Sequence, residues 1–353
     1  KSISQGFITT FLEDYIHVDQ HVYAFRPNNS SQFLIGTDGG VFFGKFEQGE
    51  YKYTNGNRGY NTTQFYGIGY SGLSNYVIGG AQDNGSILIT GQGNTVQQGK
   101  EIMNTGLGFQ NGGDGGPAVI SIINKDVLVA STTFGDVKRS DDAGENYSAN
   151  DQFLDGRGNI NAFKTPVGLW ESFDNPNSRD SIKYFNLTEE VISAGTNTLG
   201  RSNNSEQPFY FDMPVDLNKG DSIMIVDPIS SRFFLATANN IYMIKDLHNF
   251  AKTPDWWEIA NGDFTVYSGT PQCIGFSSDA NHLYVGNQNG KLYRISNLAL
   301  AYNFDRADQS RPSCIVSVEN IPLYVPGTDE EISQVITSIS VDPSNSNNVI
   351  VTL

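Results

Sequence analysis

The sequence predicts an all-β chain built as a β-propeller of four-stranded blades, and three observations predict it. One unit recurs along the 353 residues: an apolar strand, a polar turn with Asn, Asp or Pro, a second apolar strand, a Gly/Asn/Asp tip, then a third strand and at times a fourth. Where two copies adjoin, their spacing is roughly 40–50 residues, the period of a propeller blade. The 37 Gly and 13 Pro punctuate short runs in which apolar residues alternate or stand together, the texture of short strands and tight turns.

In chain order the copies start at His21 (HVYAFRPNNSSQFLIGTDGGVFFGKFE), Gln64 (QFYGIGYSGLSNYVIGGAQDNGSILIT) and Pro117 (PAVISIINKDVLVASTTFGDVKRSDDAGENYS). They continue at Ser222 (SIMIVDPISSRFFLATANNIYMIKD), Gln272 (QCIGFSSDANHLYVGNQNGKLYRIS) and Ile336 (ITSISVDPSNSNNVIVTL). The sixth copy is incomplete, so seven or eight blades are expected in the full protein. The fourth is delayed, which predicts three divisions: residues 1–152 as blades one to three, 153–220 as a β-rich insertion on the rim, and 221–353 as blades four to six, the last truncated. The aromatic residues of the insertion argue against a disordered linker. Helix is nearly absent; the stretch ISNLALAYNF is the best short candidate.

Composition narrows the function. A formal charge of −16 repels phosphate backbones and excludes nucleic acid as a natural partner. No run approaches the ~18 apolar residues of a membrane-spanning helix. Cys273 and Cys314 both lie in strand-like runs and read as buried free thiols, which leaves the redox compartment open.

Two groups of residues stand out. In SDDAGENY, residues 140–147, Ser140, Asp142, Gly144 and Tyr147 form a hairpin in which the Asp142 carboxylate accepts backbone N–H bonds, Gly144 permits positive φ and Tyr147 tucks beneath the turn. It joins the third and fourth strands of a blade, so it is expected to be scaffolding on the bottom face. The opposite face collects the loops before each first strand and those joining second to third strands. There the repeat register gathers His17, Asp19 and His21 with Asp38, Asp83 and Asp114, among close glycines. Imidazoles and carboxylates converging on one axis make a candidate site for a divalent cation: zinc or manganese if mixed, calcium if the oxygens dominate.

The ordered motifs HVDQHVYAF, FLIGTDGGVF, VIGGAQDNGS, GGDGG, SDDAGENY and ITSISVDPSNSNNVIVTL together resemble the Asp-box propellers of sialidase and sortilin type. Large secreted or cell-surface proteins of Bacteroidota linked to type IX secretion are especially similar. That resemblance implies an extracellular or outer-membrane setting, a place in secretion or gliding-motility machinery, and protein partners. It also implies that the two DSI triplets, residues 180–182 and 221–223, are O-glycosylation sequons.

The fold hosts many functions, so activity is argued from residues. A sialidase needs an arginine cluster for its substrate carboxylate, and this chain has few arginines; Arg26 sits in a turn slot. An inverting glycosidase needs two carboxylates about 6.5–9.5 Å apart, a role open to Asp83 and Asp114. The favoured expectation is a non-catalytic interaction scaffold, with a sialidase-like or inverting glucanase-like hydrolase as the alternative.

Overall fold

The computed structural model describes residues 16–17, 19–57, 63–82, 84–91, 100–101, 114–135, 137–146, 163–262, 265–303 and 317–353. The chain is all-β, and its sheets follow one another as antiparallel meanders. Sheet 1 holds β1 (Gln20–Arg26), β2 (Asn29–Thr37), β3 (Gly40–Glu47) and β4 (Glu50–Asn55). Sheet 2 holds β5 (Phe65–Ser71), β6 (Tyr76–Ala81), β7 (Gly85–Thr90) and β8 (Lys100–Glu101). Sheet 3 holds β9 (Val119–Ile120), β10 (Leu128–Ser131) and β11 (Val137–Ser140).

Sheet 4 is assembled differently. Its first strand is β12 (Val167–Ser172), and the chain then leaves the sheet before returning as β17 (Ser230–Ala236), β18 (Asn240–Ile244) and β19 (Trp257–Asn261). Between β12 and β17 lie two small ribbons. One pairs β13 (Ser181–Phe185) with β16 (Ser222–Val226), the other β14 (Asn197–Arg201) with β15 (Pro208–Asp212). Sheet 5 holds β20 (Pro271–Phe276), β21 (His282–Asn287), β22 (Leu292–Ser296) and β23 (Val318–Ile321), and sheet 6 holds β24 (Ser338–Val341) and β25 (Val349–Thr352). The helix candidate is a six-residue 3-10 segment, Leu298–Asn303.

The repeat beginning at Ser222 is corrected in one respect. Ser222–Val226 is not the first strand of the fourth sheet: it pairs with β13, and β12 pairs with β17 across six residues from Val167↔Leu235 to Ser172↔Ser230. The insertion thus replaces the turn between first and second strands, so it hangs from the bottom edge of sheet 4. It is fixed there by a small core in which Ile182, Phe209, Ile225 and Ile229 close over Ile123 of the β9–β10 turn.

The sheets stack through their first strands in chain order: β5 and β6 against β9, β9 against β12, β12 against β20, and β20 against β24. Successive inner strands packed side by side are the propeller arrangement. Sheets 4 and 5 share the largest core, with Phe234, Met243, Ile259, Leu283, Val285 and Tyr293 buried between them. Glycine sets the closest approach. A Cβ on Gly80 would lie 1.8 Å from the Gly116 carbonyl oxygen, and one on Gly115 would lie 2.1 Å from that of Gly85. The glycines around GGAQDNG and GGDGGP therefore let sheets 2 and 3 touch backbone to backbone.

Polar joints along the bottom edge tie sheets 2 to 6 to one another in order. Ser71 donates to the Ser121 carbonyl of sheet 3 at 3.1 Å. Arg139 of β11 is buried, donates to the carbonyls of Leu247 (2.9 Å) and Lys252 (3.0 Å) in the β18–β19 connection, and lies over the Phe250 ring. Arg232 of β17, also buried, donates to the Ala280 carbonyl at 2.6 Å in the β20–β21 turn, and Trp170 donates to Ser278 beside it at 2.7 Å. Arg294 of β22 reaches Asn347 at 2.7 Å in the β24–β25 turn, where Tyr284 donates to the Ser346 carbonyl at 2.5 Å.

A buried guanidinium stays charged and needs every hydrogen bond it makes. Arg139→Met and Arg232→Met are each expected to lower unfolding free energy by about 2–4 kcal/mol, since each strands carbonyls without donors. Arg26→Met, at an exposed site donating to Gln32, is expected to shift it by less than about 0.5 kcal/mol. Urea denaturation followed by tryptophan fluorescence measures all three.

Candidate functional site

The top edge holds the residues that the repeat register gathers. His21 of β1 contacts Asp38 of the β2–β3 turn through Nε2 and Oδ1, and Gln82 reaches the other Asp38 oxygen at 3.5 Å. Asp38 is held in place because its N–H donates to the Asp19 carbonyl at 3.1 Å. His17 is turned inward. Its ring packs on Gly39, its Nδ1 accepts the Asp19 N–H at 3.2 Å, and its Nδ1 lies 3.8 Å from the Asp19 carboxylate. Asp114 is placed by a parallel bridge of its backbone to Gly85, at the close approach of sheets 2 and 3. Asp83 lies outside the described residues, so the Asp83–Asp114 separation is not defined. Among the described residues, no three His, Cys, Asp or Glu side chains gather tightly enough to hold a metal ion.

On the bottom edge the turn of residues 140–146 is closed on itself. Ser140 donates to Asp142 Oδ1 at 2.7 Å and accepts the Gly144 N–H at 2.9 Å, while Asp142 accepts the backbone and side-chain N–H groups of Asn146 at 2.8 and 2.7 Å. Burial alone would raise the Asp142 carboxyl, but these donors hold it below its ordinary value. Gly144 has φ of 78° and Ala143 has φ of 56°. All these donors lie within the hairpin, as a turn-forming carboxylate requires. Tyr147 lies outside the described residues. The same chemistry recurs at Asp279, which accepts from Ser277 and the Asn281 N–H, and at Asp342, which accepts from Ser344.

A second polar cluster on this edge carries no obvious signal in the sequence. Glu171, the residue after Trp170 on β12, is buried with His248 of the β18–β19 connection. His248 Nε2 lies 2.8 Å from Glu171 Oε1, Ser121 donates to the same carboxylate at 2.8 and 3.0 Å, and the Ile122 N–H donates at 2.7 Å. Burial pushes the Glu171 carboxyl up, but His248, Ser121 and the Ile122 amide together leave it below its ordinary value. Ser, His and Glu in contact invite comparison with a nucleophilic triad, and the geometry excludes it. One imidazole nitrogen, Nε2, faces both the carboxylate and, at 3.4 Å, the serine hydroxyl, whereas a triad uses opposite nitrogens. The group is a joint between sheets 3 and 4.

The arginines are likewise committed. Arg139 and Arg232 grip main-chain carbonyls and Arg294 pairs with Glu319, so these three are not arrayed around a substrate carboxylate. Cys273 is half-buried and donates to the Ile336 carbonyl at 3.4 Å; burial pushes its thiol up to about 11. Cys314 lies outside the described residues. No helix of the described residues is long and apolar enough to cross a membrane.

Comparison with known proteins adds little beyond this geometry. No family model and no curated protein matches the chain. It is similar to the extracellular domain of a putative hybrid two component system from B. thetaiotaomicron, at 11% identity and a TM-score of 0.40, covering 99% of this chain and 33% of that one. It is also similar to the Cps50 (Swd1) beta-propeller domain of Myceliophteria thermophila, at 10% identity and a TM-score of 0.36, covering 86% of this chain and 71% of that one. The chain thus spans about a third of the length of the first. Likeness at this level carries no argument about activity.

The Glu171 joint has a definite pH signature. Its folded carboxyl sits below the unfolded value of about 4.3, so its stabilisation is complete above that value and is lost as pH falls through the lower folded one. Asp227, pushed up by burial at the root of the insertion, acts in the opposite sense. Glu171→Gln is expected to cost about 3 kcal/mol at neutral pH. It is also expected to flatten stability against pH below about pH 5, as read from urea midpoints across a pH series.

Proposed function

We propose that the chain is a non-catalytic β-propeller that serves as a protein-interaction scaffold at the cell surface or in the extracellular space. The observation that carries this reading is an exposed apolar sheet face alongside polar residues already spent on structure. One face of sheet 1 carries an aromatic cluster around buried Phe33, which lies 5.5 Å from the exposed Phe25 ring and 6.4 Å from Tyr53. Its other face presents Val22, Leu34, Val41 and Phe43, all exposed and in register through Leu34↔Phe43 and Gly36↔Val41. Contiguous exposed apolar surface of this kind marks an interaction site. The charge of −16 keeps such a surface soluble.

Association with type IX secretion or gliding machinery, an outer-membrane location, the Asp-box kinship and the O-glycosylation of residues 180–182 and 221–223 belong to the same proposal and rest on the sequence motifs. The serines of both triplets are exposed at the starts of β13 and β16. A divalent cation at the top edge is a separate proposal resting on the His21–Asp38 contact. Equimolar zinc or calcium by elemental analysis, lost in Asp38→Asn, supports it; substoichiometric metal removes it.

The scaffold reading is tested by cross-linking and pull-down from an outer-membrane fraction, comparing wild type with Leu34→Glu and Phe43→Glu. A defined set of partners that both variants lose at least about tenfold is the expected result. Hydrolysis of sialyl-lactose or β-glucan oligosaccharides, abolished by Asp83→Asn, would replace the scaffold with an enzyme.

A further inference from the structure

The top edge carries a second feature that neither the metal proposal nor the sheet 1 face uses. Tyr66 of β5, Phe163 of the segment leading into β12 and Phe134 of the β10–β11 turn form a continuous aromatic cluster. Phe163 lies edge-to-face with Tyr66 and with Phe134, each at 5.6 Å between ring centres. Phe134 is 64% exposed and its backbone sits at φ 57°. That conformation is costly for a bulky side chain, and the ring it presents is not needed to fill the core. The Phe134 N–H donates to the Phe163 carbonyl at 3.2 Å, which fixes the two rings relative to one another.

Lys164 completes the patch. Its ammonium lies 5.4 Å from the centre of the Tyr66 ring, and among the described residues no carboxylate pairs with it. In a chain with 38 Asp and Glu against 22 Lys and Arg, a cation whose partner among the described residues is an aromatic ring can take a carboxylate from outside. The three rings come from sheets 2 and 3 and the approach to sheet 4, so the patch lies where first strands begin, at the mouth of the sheet array.

We propose that Lys164, Tyr66, Phe134 and Phe163 form a docking site for a peptide segment that places one carboxylate beside an apolar or aromatic side chain. The rings supply apolar contact area and the ammonium meets the carboxylate. The rest of the chemistry favours a peptide over a sugar. A saccharide needs several convergent groups for its hydroxyls, and this patch offers one cation and three rings. The net charge of −16 opposes a run of acids, so a single carboxylate is specified. This deepens the scaffold reading and rests on it, and it uses a surface separate from the exposed face of sheet 1.

The test is fluorescence anisotropy of the intact chain with a labelled peptide, Gly-Leu-Phe-Glu-Phe-Gly amide, and its Glu-to-Gln and Phe-to-Ser versions. Saturable binding is expected, weakened about fivefold or more by either peptide change. Lys164→Gln is expected to weaken the Glu peptide equally and to abolish the preference for Glu over Gln, the signature of a direct pair. Phe134→Gly is expected to weaken binding about fivefold while leaving the urea midpoint unchanged or higher, because glycine takes this φ without strain. No binding of the Glu peptide, an undiminished Glu preference in Lys164→Gln, or binding of uronic-acid oligosaccharides in place of the peptides would overturn the proposal. The sheet 1 variants report on the scaffold reading independently, since Leu34→Glu and Phe43→Glu leave this patch untouched.

Discussion

The structure depends on a series of buried polar joints along its bottom edge. Stacked sheets attract one another through apolar contact, which is strong but has no direction. Direction comes from side chains that reach out of one sheet and end on the main chain of the next: Arg139 on Leu247 and Lys252, Arg232 on Ala280, Glu171 under the amide of Ile122. Each is buried, and each would be costly if its partner moved. The joints therefore help set the order of the sheets, and they commit Arg139, Arg232, Glu171 and His248 to that structural role.

The two edges consequently have different characters. At the bottom, Asp142, Asp279 and Asp342 close their own turns, and the insertion is capped onto Ile123 by its own small core. At the top, among the described residues, Lys164 meets an aromatic ring in place of a carboxylate, and the Phe134 ring is exposed. Rigidity at one edge permits strain and exposure at the other, the usual relation between scaffold and binding surface.

The repeat was legible because its signal is local. Alternation within PQCIGF or YVIGGA and the turn residues between such runs need no knowledge of distant contacts, so five of six copies place their first strands correctly. The fourth copy failed for a physical reason. SIMIV and VGLWES are equally strand-like, and only pairing across more than fifty residues selects the second as partner of β17. The hairpin at Ser140 was legible for the same local reason, its donors lying within four residues of its acceptors. The Glu171–His248 joint, 77 residues apart in sequence, and the Tyr66–Phe163–Phe134 cluster were not, because no periodicity marks which buried acid or exposed ring meets which. The close backbone approach expected of the glycines around Asp83 and Asp114 is made to the neighbouring sheet at Gly80 and Gly115, a partner that no local pattern names.

Native-state hydrogen exchange tests the role of the bottom joints most directly. The amides of Ile122 and Ile123 sit in a turn, where exchange is ordinarily fast, yet both donate to Glu171. If the joints hold the sheets in order, these two amides open only with the core and share the exchange free energy of Phe233 and Phe234 in β17. Exchange of Ile122 and Ile123 several kcal/mol easier than that of β17, at neutral pH, would show that the joint opens on its own and would contradict the account.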